Sequence, residues 1–100
     1  MRLDKFLKTT NLMKRRTVAN EAADEGFIRV NDRAAKPAYT LKEGDVIEMD
    51  MWNFYKKIKV LQVPEKKSIP KKDLPLYIEI LEYRPKTSDD FTDFEDNEEL

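Results

Sequence analysis

Histidine and cysteine are both absent, and glycine occurs only twice in 100 residues. The first two absences remove an imidazole base, a thiolate nucleophile, disulfide cross-links and a conventional zinc site, so neither a cofactor nor a metal is expected. They are also compatible with a reducing compartment. Long apolar runs are missing as well, since nothing approaches the roughly 20 residues of a membrane span. The opening Met1-Arg2-Leu3-Asp4-Lys5 lacks the apolar core of a secretory signal. A soluble, cytoplasmic protein without a membrane partner is expected, with a single core at this length.

Net charge is nearly absent too, at −1 from 19 Lys and Arg against 20 Asp and Glu. That balance conceals an asymmetry. Residues 87–100 hold seven acids (Asp89, Asp90, Asp93, Glu95, Asp96, Glu98, Glu99) and no base, which leaves 19 bases against 13 acids, or +6, on residues 1–86. The first 16 residues carry six bases (Arg2, Lys5, Lys8, Lys14, Arg15, Arg16) against Asp4 alone. A basic domain joined to an acidic tail suits a polyanionic partner in a way that a neutral protein does not. The tail is poor in aliphatic residues and is expected to be flexible, serving solubility or competing with a polyanion for the basic surface.

Leu3, Phe6 and Leu7 fall at i, i+3 and i+4, which predicts a short helix over residues 4–10 with Asp4 as N-cap or first-turn acid. A second helix is expected over residues 14–25, with Val18, Ala19, Ala22 and Ala23 as its apolar stripe and Gly26 ending it. From Phe27 the period changes to two. Residues 27–30 and 33–36 read as a hairpin around Asn31-Asp32, residues 46–52 and 55–63 as two further strands. Residues 64–75 form a basic, proline-punctuated connection. Residues 76–83 fit a strand by alternation and a helix by the Tyr77, Ile80, Leu81 spacing; packing against the sheet edge is the reading adopted. The fold class is α+β, two N-terminal helices on a small, mostly antiparallel sheet. Its parts are residues 1–63 as the basic domain, 64–86 as an extension on the sheet, and 87–100 as the tail.

The second helix is charged against its own dipole. Lys14, Arg15 and Arg16 sit at its start and Glu21, Asp24 and Glu25 near its end, whereas the dipole favours the reverse by ~0.3 to 1 kcal/mol per charge. A phosphate at that start would meet backbone N–H groups and guanidinium forks together; the alternative is a merely solvated basic turn. Lys5 and Lys8, three apart, share a helix face, and antiparallel packing of the two helices would bring Arg2 and these lysines beside the basic turn. Asp4 either caps its helix or holds Arg2 or Arg16 in one rotamer. The lysines of residues 56–72 form a weaker contact zone or a solvated edge.

The segments Met1-Arg2-Leu3-Asp4-Lys5-Phe6-Leu7, Lys14-Arg15-Arg16-Thr17-Val18-Ala19, Glu25-Gly26-Phe27-Ile28-Arg29-Val30-Asn31, Ala35-Lys36-Pro37 and Gly44-Asp45-Val46-Ile47 carry a resemblance. In order and spacing, over roughly residues 1–52, they resemble the RNA-binding domain named after small-subunit ribosomal protein four, the S-four domain. Among stand-alone members the chain is similar to small heat-shock RNA-binding proteins and to ribosome quality-control factors that bind the large subunit carrying a stalled peptidyl-tRNA. The resemblance implies phosphate-binding roles for Arg2, Lys5, Arg15 and Arg16, an orienting role for Asp4, and contacts from Arg33 and Lys36. Asn31-Asp32 departs from the Asn-Gly that is common in the family, and the second helix lacks the Ser often seen at its start.

Three functions compete. A non-catalytic binder of ribosomal RNA and tRNA, acting as a monomer, suits a compact basic surface, because RNA helices display shape, phosphates and 2′-hydroxyls more readily than base edges. An enzyme is disfavoured, since no apolar pocket signal surrounds any acid pair; an accessory module for a modification enzyme is its weaker form. An adaptor would use Trp52, Phe54 and Tyr55 at a hairpin tip, a trio that serves either as an exposed anchor or as core closure.

Overall fold

The computed structural model describes residues 1–65 and 68–86. Two helices, α1 (Leu3–Thr9) and α2 (Arg16–Asp24), precede five strands: β1 (Ile28–Val30), β2 (Arg33–Ala34), β3 (Val46–Asp50), β4 (Phe54–Val60) and β5 (Ile78–Pro85). The strands form one sheet in the order β2-β1-β3-β4-β5, with every neighbouring pair antiparallel. The α+β expectation holds. The expected acidic tail lies outside the described residues.

Leu3, Phe6 and Leu7 of α1 are fully buried and meet Ala19, Ala22 and Ala23 of α2, whose small side chains let the two helices approach closely. Ile28, Ile47, Met49, Ile58 and Val60 close the same core from the sheet. Each large side chain so buried contributes about 1.5–3 kcal/mol. One member of the expected stripe departs from it: Val18 is 44% exposed. At four and three residues from Ala22, positions 18 and 19 both border the stripe, but the narrow alanine contact takes in only one.

Helix α2 also starts later than its sequence suggests. Arg15, with extended φ and ψ, is its N-cap, so residues 11–15 belong to the connection. Asn11 adopts a left-handed φ of 58° there, and the Met13 N–H donates to the Leu7 carbonyl at 3.0 Å. The far end is a Schellman motif. Phe27 N–H reaches the Ala22 carbonyl at 2.9 Å and Gly26 N–H the Ala23 carbonyl at 3.1 Å, with Gly26 at φ 86°.

The hairpin turn Asn31-Asp32 has positive φ at both residues, 53° and 68°, as a two-residue antiparallel connection of the right hand requires. Asn31 ties it down: its Oδ1 accepts the Val46 N–H at 3.0 Å and its Nδ2 donates to buried Asp45 at 3.1 Å. The basic connection ends in a short 3-10 helix, Lys71–Leu76, and the ambiguous segment at 76–83 resolves into the strand β5, which runs along the edge of β4.

Candidate nucleic-acid interface

Asp4 is 1% exposed although it lies on a surface helix. Two features bury it. Its own helix start is covered by residues 37–40, for Leu3 N–H donates to the Tyr39 carbonyl at 2.8 Å and Asp4 N–H to the Pro37 carbonyl at 3.1 Å. Arg2, the N-cap of α1, pairs with Thr40 in an isolated bridge. Around the carboxylate, Arg2 Nε and Nη2 donate to Oδ1 and Oδ2, both at 3.1 Å, a bidentate fork. Arg16 Nε from α2 stands 3.5 Å from Oδ2, Asn20 Nδ2 donates to Oδ2 at 3.2 Å, and Lys5 N–H donates to Oδ1 at 2.7 Å.

Burial alone would raise the Asp4 pKa; the hydrogen bonds from Arg2 and Asn20, the charge of Arg16 and the Lys5 amide outweigh it and hold the carboxyl below its ordinary 3.8. Asp4 is therefore ionised at neutral pH and sits in the first turn rather than at the cap position. It fixes two guanidinium groups whose side chains remain about half exposed, at 48% and 49%. An arginine has five N–H donors, so each keeps donors for a ligand after meeting Asp4.

These residues line one open groove of about 390 Å³, shared with Thr17, Asn20 and Glu21. Its two helix starts differ. That of α1 is closed by the carbonyls of residues 37 and 39, while among the described residues no side chain caps α2 and the first backbone bond there is Ala19 N–H to the Arg15 carbonyl at 3.1 Å. The N–H groups of residues 16–18 are thus available to an anion beside Arg16.

Of the residues singled out by sequence, the structure brings Arg2, Asp4 and Arg16 into contact. Lys5 and Lys8 are exposed on α1, and Lys14 and Arg15 are exposed just before α2. Lys36 is exposed next to Pro37, whose carbonyl meets α1. Arg33 lines a separate hollow with Asn31 and Tyr39. Asn20 went unremarked in the sequence, yet the signal was present: it follows Arg16 by four residues and so shares its helix face.

The lysines further along are interleaved with acids. Lys57 stands in register with Glu48 on one side and Glu82 on the other, and Lys59 with Glu79. Lys56 lies over the rings of Phe54 and Tyr83, 6.0 and 5.4 Å from their centroids. Lys66 and Lys67 lie outside the described residues. The aromatic trio divides: Phe54 packs against the core, Tyr55 donates its hydroxyl to Glu48 at 2.6 Å, and Trp52 is 80% exposed. Core closure therefore fails for Trp52. The Glu48 bond, helped by desolvation, pushes the Tyr55 pKa up to about 12. Among the described residues no helix is long and apolar enough to cross a membrane, and no group of three His, Cys, Asp or Glu is placed to hold a metal.

Residues 1–47 match the S4 domain family. The RQC P-site tRNA stabilizing factor of Helicobacter pylori strain J99 is 40% identical over 78 residues, covering 78% of this chain and 93% of that protein. Its namesake in Streptococcus pneumoniae is 44% identical over 81 residues, covering 81% of this chain and 90% of that protein. The Bacillus subtilis protein of the same name is 45% identical over 73 residues, covering 73% and 81%. Among solved structures, that of the hypothetical protein HP1423 is 36% identical with a TM-score of 0.68, covering 89% of this chain and 100% of that one. Vibrio cholerae heat shock protein 15 shares the fold at 21% identity, with a TM-score of 0.71 over 80% of each chain. The chain belongs to the family of RQC P-site tRNA stabilizing factors, built on an S4 domain.

Proposed function

We propose that this chain is a non-catalytic RNA-binding factor that braces the P-site tRNA, and the ribosomal RNA beside it, on large ribosomal subunits carrying a stalled peptidyl-tRNA. The observation that carries the reading is the pair of half-exposed guanidinium groups fixed on one buried carboxylate, Asp4. Phosphate recognition needs forked donors held in place before the ligand arrives, and side chains left free would lose about 0.5–1.5 kcal/mol each on being ordered. Lys5, Lys8, Lys14, Arg15 and Lys36 extend the positive surface around the groove, and Arg33 supplies an outlying contact. The name shared by the relatives, a tRNA stabilizing factor of ribosome-associated quality control, supports the choice of RNA.

In mechanism, nothing is made or broken. The Arg2 and Arg16 forks and the α2 amides take adjacent phosphates, and Asp4 keeps the forks apart and aimed. Glu21, on the groove wall, repels a phosphate placed too far along α2 and so helps fix register. The proposal takes the protein to act as a monomer, in the cytoplasm where ribosomes work. Residues 1–63 are the binding unit, 64–86 its buttress along the sheet and 87–100 an acidic appendage.

Pelleting the purified protein with large subunits that carry peptidyl-tRNA tests the reading. Arg2→Gln and Arg16→Gln together, which keep neutral hydrogen-bond donors beside Asp4, should strongly weaken association while the circular dichroism spectrum stays unchanged. A folded double variant that pellets like the wild type overturns it.

A further inference from the structure

Trp52 is the only tryptophan in the chain, and at 80% exposure it lies outside the core that its neighbours close. It lines an open cleft of about 440 Å³ with the apolar Leu12, Val18 and Phe54 and with two cations, Lys14 and Arg15. Among the described residues neither cation takes part in an ion pair. We infer that this cleft is a second RNA subsite, where an unstacked nucleobase lies on the Trp52 indole while its phosphate is held by Lys14 and Arg15.

Three features argue for a nucleotide as the occupant. The first is charge: two cations beside an apolar ring fit a ligand that is a flat ring on an anionic backbone, and neither a basic peptide nor a purely apolar one. The second is continuity, since Arg15 lines this cleft and Arg16, the next residue, lines the groove that holds Asp4. A strand leaving the groove crosses the open start of α2 and arrives at Trp52. The third is form. Base stacking needs a rigid ring with an open face, and an indole at a strand connection offers one without rearrangement of the core. The inference rests on the phosphate-binding reading of that groove and adds to it a preference for RNA with unpaired bases.

Because there is one tryptophan, its fluorescence reports the cleft alone. The full chain is titrated with a single-stranded RNA oligonucleotide, with a blunt RNA duplex of equal length and with an acidic peptide of the sequence of residues 87–100, RNA binding being followed independently by the anisotropy of a label on the RNA. Single-stranded RNA should quench the indole, while the duplex binds through its phosphates and leaves the emission unchanged. Trp52→Ala should weaken single-strand binding roughly 5- to 100-fold and leave duplex binding within twofold, and Trp52→Phe should restore most of the loss. Single-strand binding with an unquenched indole, or unaffected by Trp52→Ala, overturns the inference and spares the groove. Quenching by the peptide and not by RNA assigns the cleft to a peptide and overturns it as well. If neither RNA binds by anisotropy, the groove reading falls and takes this one with it.

Discussion

Arg16 on α2 stands with its Nε 3.5 Å from Oδ2 of Asp4 on α1, so one carboxylate joins the two helices through the base of the basic groove. The contact has two consequences. It stabilises the helix pair, and it withdraws rotamer freedom from an arginine that would otherwise sample water.

Replacing Asp4 separates orientation from simple charge. Asp4→Ala makes the surface more positive by one unit, so attraction to RNA by charge alone would tighten. The geometry instead calls for weaker binding of tRNA, by about 5- to 100-fold, because two forks must now be ordered at roughly 0.5–1.5 kcal/mol each. Unfolding by urea should show a loss of about 1–3 kcal/mol from the missing buried hydrogen bonds. Filter binding and denaturation on the same sample check both.

Acid should act through the same carboxylate. Its folded pKa lies below the ordinary 3.8, so its stabilising contribution is complete above that value and disappears as pH falls through the lower folded one. The urea midpoint of the wild type should therefore drop more steeply below 3.8 than that of Asp4→Asn. Parallel pH profiles for the two proteins would contradict the arrangement.

Salt dependence counts the phosphates. With about five contacts, log affinity for RNA should fall against log salt with a slope of roughly −3.5 to −4.5. Arg16→Gln should make the slope shallower by about 0.7–0.9. A titration by fluorescence anisotropy across salt concentrations measures both, and a slope near zero would contradict an electrostatic grip.

The hairpin turn offers a stability test away from the groove. Asp32 holds a φ of 68°, a left-handed conformation that glycine adopts without a Cβ clash. Asp32→Gly should raise stability by about 0.5–1 kcal/mol by thermal or urea unfolding, with RNA binding unchanged within twofold. A loss of stability would show that Asp32 contributes more to the turn than its strain costs.

Local pattern was enough to read much of this architecture. The 3, 6, 7 spacing of Leu3, Phe6 and Leu7 and the alternation through Ile47 and Met49 marked elements whose apolar faces point one way. Residues 76–83 stayed ambiguous because Tyr77, Ile80 and Leu81 satisfy both periods, and only long-range pairing with β4 decides between them. The basic cluster was visible as charge, but the burial of Asp4 was not, for it depends on residues 37–40 folding over α1 from a distance in sequence. Asn20 escaped notice because a polar residue on a helix face is ordinary until a partner is known. Trp52 stood out in the sequence but stayed between two readings, because a hairpin-tip aromatic has the same sequence signature whether it turns inward or out.

A density map of the protein on a large ribosomal subunit carrying peptidyl-tRNA tests the central claim most directly. The guanidinium groups of Arg2 and Arg16 should lie within about 4 Å of RNA phosphate oxygens, with both still on Asp4. A map in which that groove faces solvent or protein while the chain is bound elsewhere would contradict the account.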